Sequence, residues 1–218
     1  MTPGEPLVRW DWIPSHLGDI LARLVEHLIL TGLAVGVGFL IALGLSLLIW
    51  RSSGFDAPIT WIAGVLYTIP SLALFAFLIP LTGLGFLTAE IGLVSYTLLI
   101  LIRAITGGLA AVPADVRDAA VGMGYTSRQL LWRVELPLAV PIIMSGLRAA
   151  TVSTIGLVTV TALIGLGGFG YFILDGINRF FTTPLIVGAV LSVALAVLAD
   201  AALVGITSLL TPWTRTRD

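Results

Sequence analysis

Residues 28–50, LILTGLAVGVGFLIALGLSLLIW, contain no charged side chain. A bilayer core about 30 Å thick is crossed by about 20 mostly apolar residues in a helix. Hydrocarbon offers the backbone no outside partner, so such a run must satisfy its own hydrogen bonds. This run therefore commits the chain to the membrane, and the composition agrees. Only 11% of residues are charged and 58% are hydrophobic, with a mean hydropathy of +1.08, whereas soluble domains carry about 25% charged residues.

The second charge-free run, residues 57–89, is too long for one span. Pro70 is expected to kink it, and Pro80 with Gly83 and Gly85 to end it, which places a helix over 57–79. Further helices are expected over 86–111, 137–164 and 183–210, the first carrying Glu90 and Arg103. The fold class is thus an all-α polytopic membrane protein with five transmembrane helices. It divides into an N-terminal segment 1–27, one membrane domain 28–211 and a tail 212–218. Residues 15–27 place Leu17, Ile20, Leu21 and Leu24 on one helical face and Asp19, Arg23 and Glu26 mostly on the other. That pattern predicts a short amphipathic helix lying in the interface, with Trp10 and Trp12 at headgroup level.

Cytoplasmic loops carry the basic excess. Arg51, Arg117, Arg128, Arg133, Arg215 and Arg217 fall on one face, against Arg9, Arg23 and Arg179 on the other, offset by Glu5, Asp11, Asp19, Glu26 and Asp175. The expected orientation has the N-terminus outside and the C-terminus in the cytoplasm. All eleven basic residues are arginine, so there is no lysine-rich tail, and no nucleic-acid partner is expected. With no cysteine there is no disulfide, thiolate metal site or Cys nucleophile. His16 and His27 read as surface residues and no metal site is expected. The acidic N-terminus lacks the basic region of a cleavable signal.

One stretch is unlike the rest. Residues 118–137, DAAVGMGYTSRQLLWRVELP, form a polar, glycine-punctuated island. Pro113 suits a first helical turn, Asp115 complements its dipole, and Gly122 or Gly124 ends the helix. Thr126 and Gln129 have capping-box spacing, with Tyr125 and Leu130 at the staple positions. A second short helix should start there, with Pro137 stopping or redirecting it. The island therefore predicts a helix–turn–helix elbow outside the bilayer.

The spacing D-A-A, three residues, G, nine residues, V-x-L-P resembles the cytoplasmic loop of binding-protein-dependent ABC importer permeases. In that family the pattern opens with Glu-Ala-Ala and closes with Ile-x-Leu-Pro; here Asp118 and Val134 replace the Glu and Ile. The resemblance implies a type I importer permease core whose loop, residues 112–137, meets an ATPase through Asp118, Ala119, Ala120, Gly122, Gly124, Tyr125, Arg128, Leu136 and Pro137. Asp118 would anchor the elbow either to a partner cation or to its own backbone. No G-x-x-x-x-G-K-[ST] loop occurs, so ATP and Mg are expected on two partner ATPase subunits, with no cofactor on this chain. A second permease subunit and a separate external substrate-binding protein are the other implied partners. The implied location is a bacterial cytoplasmic membrane.

Residues 67–85 and 162–180 are similar to the osmoprotectant branch, which implies glycine betaine, carnitine or choline as cargo. Another small solute such as an amino acid, methionine or a phosphonate is the alternative, and an ion-coupled carrier a remote one. Gly165, Gly167, Gly168 and Gly170, with Asp175, read as an external gate and receptor-docking element or as a plain connecting loop. Tyr67, Pro70, Ser71 and Phe75 cluster at the expected kink, where aromatic faces either attract quaternary ammonium groups or merely pack. Glu90 is either interfacial or a cation-attracting acid at the pathway mouth. Arg148 and Asp200 lie at equal depth, roughly 15 Å from the cytoplasmic face. They read as an ion pair, with cavity lining or snorkelling as alternatives.

Overall fold

In the computed structural model, residues 7–214 are described; Glu5, Arg215 and Arg217, part of the charge argument above, lie outside them. The helices are α1 Trp12–Ser15, α2 Leu17–Arg51, α3 Asp56–Thr68, α4 Ser71–Thr82, α5 Phe86–Ala110, α6 Ala114–Gly122, α7 Ser127–Leu130, α8 Leu136–Val160, α9 Gly170–Arg179 and α10 Thr182–Leu210. No strand occurs among the described residues. Four helical runs are long and apolar enough to cross a membrane: α2, α5, Ser127–Ile164 and α10. The pair α3 and α4, bent by 98°, makes the count five when taken as one broken span.

The helix α5 is the central post, packed against α2, α3, α4 and α8. Half of its apolar stretch is buried, against 17% for α10 on the periphery. Small residues bring the backbones together, as membrane helices require where burial alone gives little driving force. A Cβ at Gly92 would overlap the Phe75 ring, and one at Gly146 would overlap Ala104. The latter contact sets α8 directly against α5.

Four expectations change. Residues 15–27 are not a separate interfacial helix; from Leu17 they are the first turns of α2, which no glycine or proline interrupts at the junction. At 1.5 Å per residue α2 is roughly 52 Å long, well beyond the thickness of a hydrocarbon core. Second, Pro70 breaks its helix rather than kinking it. A residue before proline is driven out of the helical region, and Ile69 and Pro70 are both extended, with ψ of 128° and 134°. Third, of the residues expected to end this helix, Gly83 does so, at a φ of +79°, while Pro80 lies inside α4, which continues to Thr82. Fourth, Pro137 neither stops nor redirects its helix. A π-turn, Leu131–Glu135, joins α7 to α8 and absorbs the hydrogen bond that proline cannot donate.

Candidate functional site

The elbow is built from local bonds. α6 ends in a Schellman turn: Gly124, at φ +83°, donates to Val121 O at 2.9 Å and Tyr125 N–H to Ala120 O at 3.1 Å. Immediately afterwards the Thr126 N–H donates to Gln129 Oε1 at 2.9 Å while Gln129 N–H donates to Thr126 Oγ1 at 3.4 Å, a complete capping box. Asp118, Ala119, Gly122, Gly124 and Arg128 are exposed, Tyr125, Leu136 and Pro137 half-buried, and Ala120 buried. The Asp118 carboxylate makes no hydrogen bond or ion pair with another described residue, so it is not spent on its own backbone.

The residue that fixes the elbow to the bundle had no assigned role in the sequence reading. Glu135 is buried in the π-turn and accepts from Trp50 Nε1 at 2.8 Å and from Arg117 Nε at 2.7 Å. Arg117 also donates to Leu109 O at 2.5 Å. One carboxylate thus ties the end of α2, the first arm of the elbow and the root of α8 together. Its partner Trp50 lies 85 positions away, which no local pattern reveals.

Midway along the bundle, the α3–α4 break opens a cavity of about 510 Å³ between α5 and α8. Tyr67, Pro70 and Ser71 line it, together with Tyr96, Ser153, Thr154 and Leu157. Tyr96 carries no local sequence signal that marks it. Its hydroxyl donates to Ile69 O, satisfying a carbonyl at the break, and its ring meets Tyr67 edge-on at 6.1 Å. A second cavity of about 750 Å³ shares Tyr67 and Thr68 and includes Asp56, Trp61 and Arg103. The two cavities together extend toward the elbow end. Phe75 lines neither cavity: it is core, under Gly92. Glu90 also lines neither; it is half-buried on α5, with one carboxylate oxygen buried and unpartnered.

At the opposite end, the glycines form a loop between the 3₁₀ turn Thr161–Ile164 and α9. Gly165, Gly167 and Gly168 have φ of +91°, +106° and +51°, and a Cβ at Gly170 would overlap the Thr159 backbone. Asp175 pairs with Arg179 at 2.8 Å. The start of α2 clasps this loop. Far from being a surface residue, His27 is fully buried. Its Nδ1 accepts from Phe169 N–H at 3.3 Å, which assigns the proton to Nε2, and Nε2–H donates to Ile155 O at 3.1 Å. Glu26 accepts from Gly168 N–H at 3.4 Å and pairs with Arg23 at 2.6 Å, while Arg23 lies 3.9 Å over the Tyr171 ring. Trp12 stacks on His16 at 4.2 Å and meets Phe172 edge-on. Trp10 is exposed.

Arg148 and Asp200 come together. Arg148 Nε and NH2 donate to Asp200 Oδ1 and Oδ2, both at 2.8 Å, joining α8 to α10. Both side chains keep about a third of their surface exposed (36% and 37%). Among the described residues no group of acids and histidines could hold a metal ion.

Known proteins resemble this chain over almost its whole length. Residues 34–209 match the family model described as "Binding-protein-dependent transport system inner membrane component". An osmoprotectant import permease protein of Salmonella typhimurium is 38% identical over 203 residues, covering 91% of this chain and 94% of that protein. A choline transport system permease protein of Bacillus subtilis is 35% identical, covering 93% of each. Among solved structures, a methionine ABC transporter in inward-facing conformations superposes with a TM-score of 0.77 at 22% identity, over 88% of this chain and 96% of that one. At that identity the likeness is one of fold.

Proposed function

Because this chain belongs to the binding-protein-dependent transport inner membrane family, and is thus a multi-pass permease subunit of an ABC importer, we propose that its cargo is a quaternary-ammonium osmoprotectant. The observation that supports this reading is the identity, across nine-tenths of the chain, to permeases named for osmoprotectant and choline transport. Importers of this family hydrolyse ATP on separate chains, so the chain is not an enzyme.

The proposed assembly has two permease subunits enclosing the pathway, two ATPase subunits carrying ATP and Mg, and a receptor delivering solute from outside. The N-terminus lies outside and the elbow and C-terminus in the cytoplasm of a bacterial cell. The exposed arms α6 and α7 seat in the ATPase, with Asp118 and Arg128 free for charges on that partner. The Schellman turn and the capping box keep the elbow stiff, and the Glu135 network passes its displacement to α2 and α8. α8 lines the central cavity with Ser153, Thr154 and Leu157, so a movement received at the elbow reshapes the passage. The loop Gly165–Gly170 is the external gate, held shut by His27 and Glu26. ATP binding draws the two elbows together and favours the outward-open state; hydrolysis resets it.

The test is purification with the co-encoded subunits and measurement of receptor-dependent ATPase activity with glycine betaine, carnitine and choline. Stimulation by one or more supports the reading. Stimulation by methionine or another amino acid alone overturns the cargo assignment. Normal retention of the ATPase after deletion of 118–124 would sink the role of the elbow.

A further inference from the structure

The cavity at the α3–α4 break has a chemistry of its own, and its interpretation rests on the transport reading just given. Irregular backbone is tolerated at membrane depth where it lines a cavity or is buried in protein, and here it does the former. Two tyrosine rings, 6.1 Å apart with an interplanar angle of 67°, form a corner of that cavity. The Tyr96 hydroxyl is committed to Ile69 O, which fixes the ring. None of the lining residues is charged. No arginine is there to repel a cation, and no carboxylate to trap one. On the other walls, the Ser71 and Ser153 hydroxyls make no hydrogen bond with another described residue. Most other hydroxyls in the spans bond back to a carbonyl three or four positions earlier, as in Thr106, Thr151 and Thr154.

We infer that this cavity is a transient solute site in the permease itself, in which the faces of Tyr67 and Tyr96 hold a quaternary-ammonium head while Ser71 and Ser153 donate to the solute's carboxylate or hydroxyl. An aromatic face attracts such a cation through its quadrupole. A site without counter-charge binds weakly, which suits a passage that must release what it admits. Cargo is then selected twice, once by the receptor and again at the break.

The permease–ATPase complex in nanodiscs, without receptor, is titrated with tetramethylammonium, followed by saturation transfer to its methyl protons. Tyr67→Phe keeps the ring and should bind as the wild type. Tyr67→Leu should bind roughly five- to tenfold more weakly while still retaining its ATPase. Choline should outcompete its neutral isostere 3,3-dimethylbutanol. Equal binding by Tyr67→Leu, or equal competition by the isostere, overturns the site. If receptor-driven uptake of a quaternary amine proceeds in a transporter whose permease gives no such signal, the site fails and the transport reading stands. If uptake is confined to another solute class, the transport reading itself has failed.

Discussion

Trp50 Nε1 donates to Glu135 Oε2 at 2.8 Å, so the last turn of the first span and the root of the fourth share one buried carboxylate. Arg117 supplies the charge on its other oxygen. Removing the buried carboxylate leaves Trp50 Nε1 and the partly exposed Arg117 without their acceptor, at a cost of about 1–3 kcal/mol. Glu135→Ala should therefore leave an inserted protein with a lower melting temperature in detergent and poor ATPase retention. Glu135→Gln, which still accepts from Trp50, should fall between. Wild-type melting and co-purification for Glu135→Ala would refute this role.

The break at Pro70 is checked by distance. The chain has no cysteine, so spin labels can be placed singly at exposed Trp61 and Phe77. At 1.5 Å per residue a straight helix separates these backbones by about 24 Å, and the 98° bend brings them to about 16 Å. The wild type should show the short distance. Pro70→Ala frees Ile69 to become helical, which should lengthen the distance and slow uptake. A long distance in the wild type would contradict the broken span.

His27→Leu removes the second donor to the helical Ile155 O and leaves the Phe169 N–H without a partner, at a cost of about 1–3 kcal/mol for the orphaned group. Amide exchange at residues 165–170 should accelerate, with that of the elbow unchanged. Gly168→Ala should do the same from the other side, because its Cβ would sit 2.6 Å from that of His27 at a φ of +51°. Unaltered protection in both variants would separate His27 from the loop.

For Arg148 and Asp200, geometry matters as well as charge. Asp200→Asn should reduce abundance and uptake. Arg148→Lys should recover only part of the lost function, since an ammonium cannot reproduce the two-pronged contact. The exchange Arg148→Asp with Asp200→Arg should exceed either single reversal. Full assembly and uptake in Asp200→Asn would show the pair to be dispensable.

What was legible in the sequence divides by separation along the chain. The capping box at Thr126 and Gln129 and the turn at Gly124 involve neighbours, and composition and spacing reveal them. The five apolar runs follow from the demands of hydrocarbon on the backbone, and the family resemblance matches the family found. The roles of His27, Glu135 and Tyr96 were missed because their partners lie 128, 85 and 27 positions away. The three prolines Pro70, Pro80 and Pro137 have three different outcomes, a break, a place inside a helix and absorption in a π-turn. Proline's local effect is fixed, but whether a helix breaks, continues or absorbs it in a π-turn depends on which carbonyls find other donors. Phe75 takes the packing alternative of the two open to an aromatic beside a kink, because Gly92 opposite makes room for its ring in the core.

The run Ser127–Ile164 has a mechanical consequence. It has a tight small-residue contact with α5 where Gly146 meets Ala104. At 1.5 Å per residue, about 28 Å of it lies on the elbow side of that contact and about 27 Å on the side of the glycine loop. If the run swings as one rod about this contact, it is a seesaw with equal arms: an inward push on one end is an outward push of the same size on the other. A passage walled by two such rods cannot narrow at one mouth without widening at its opposite.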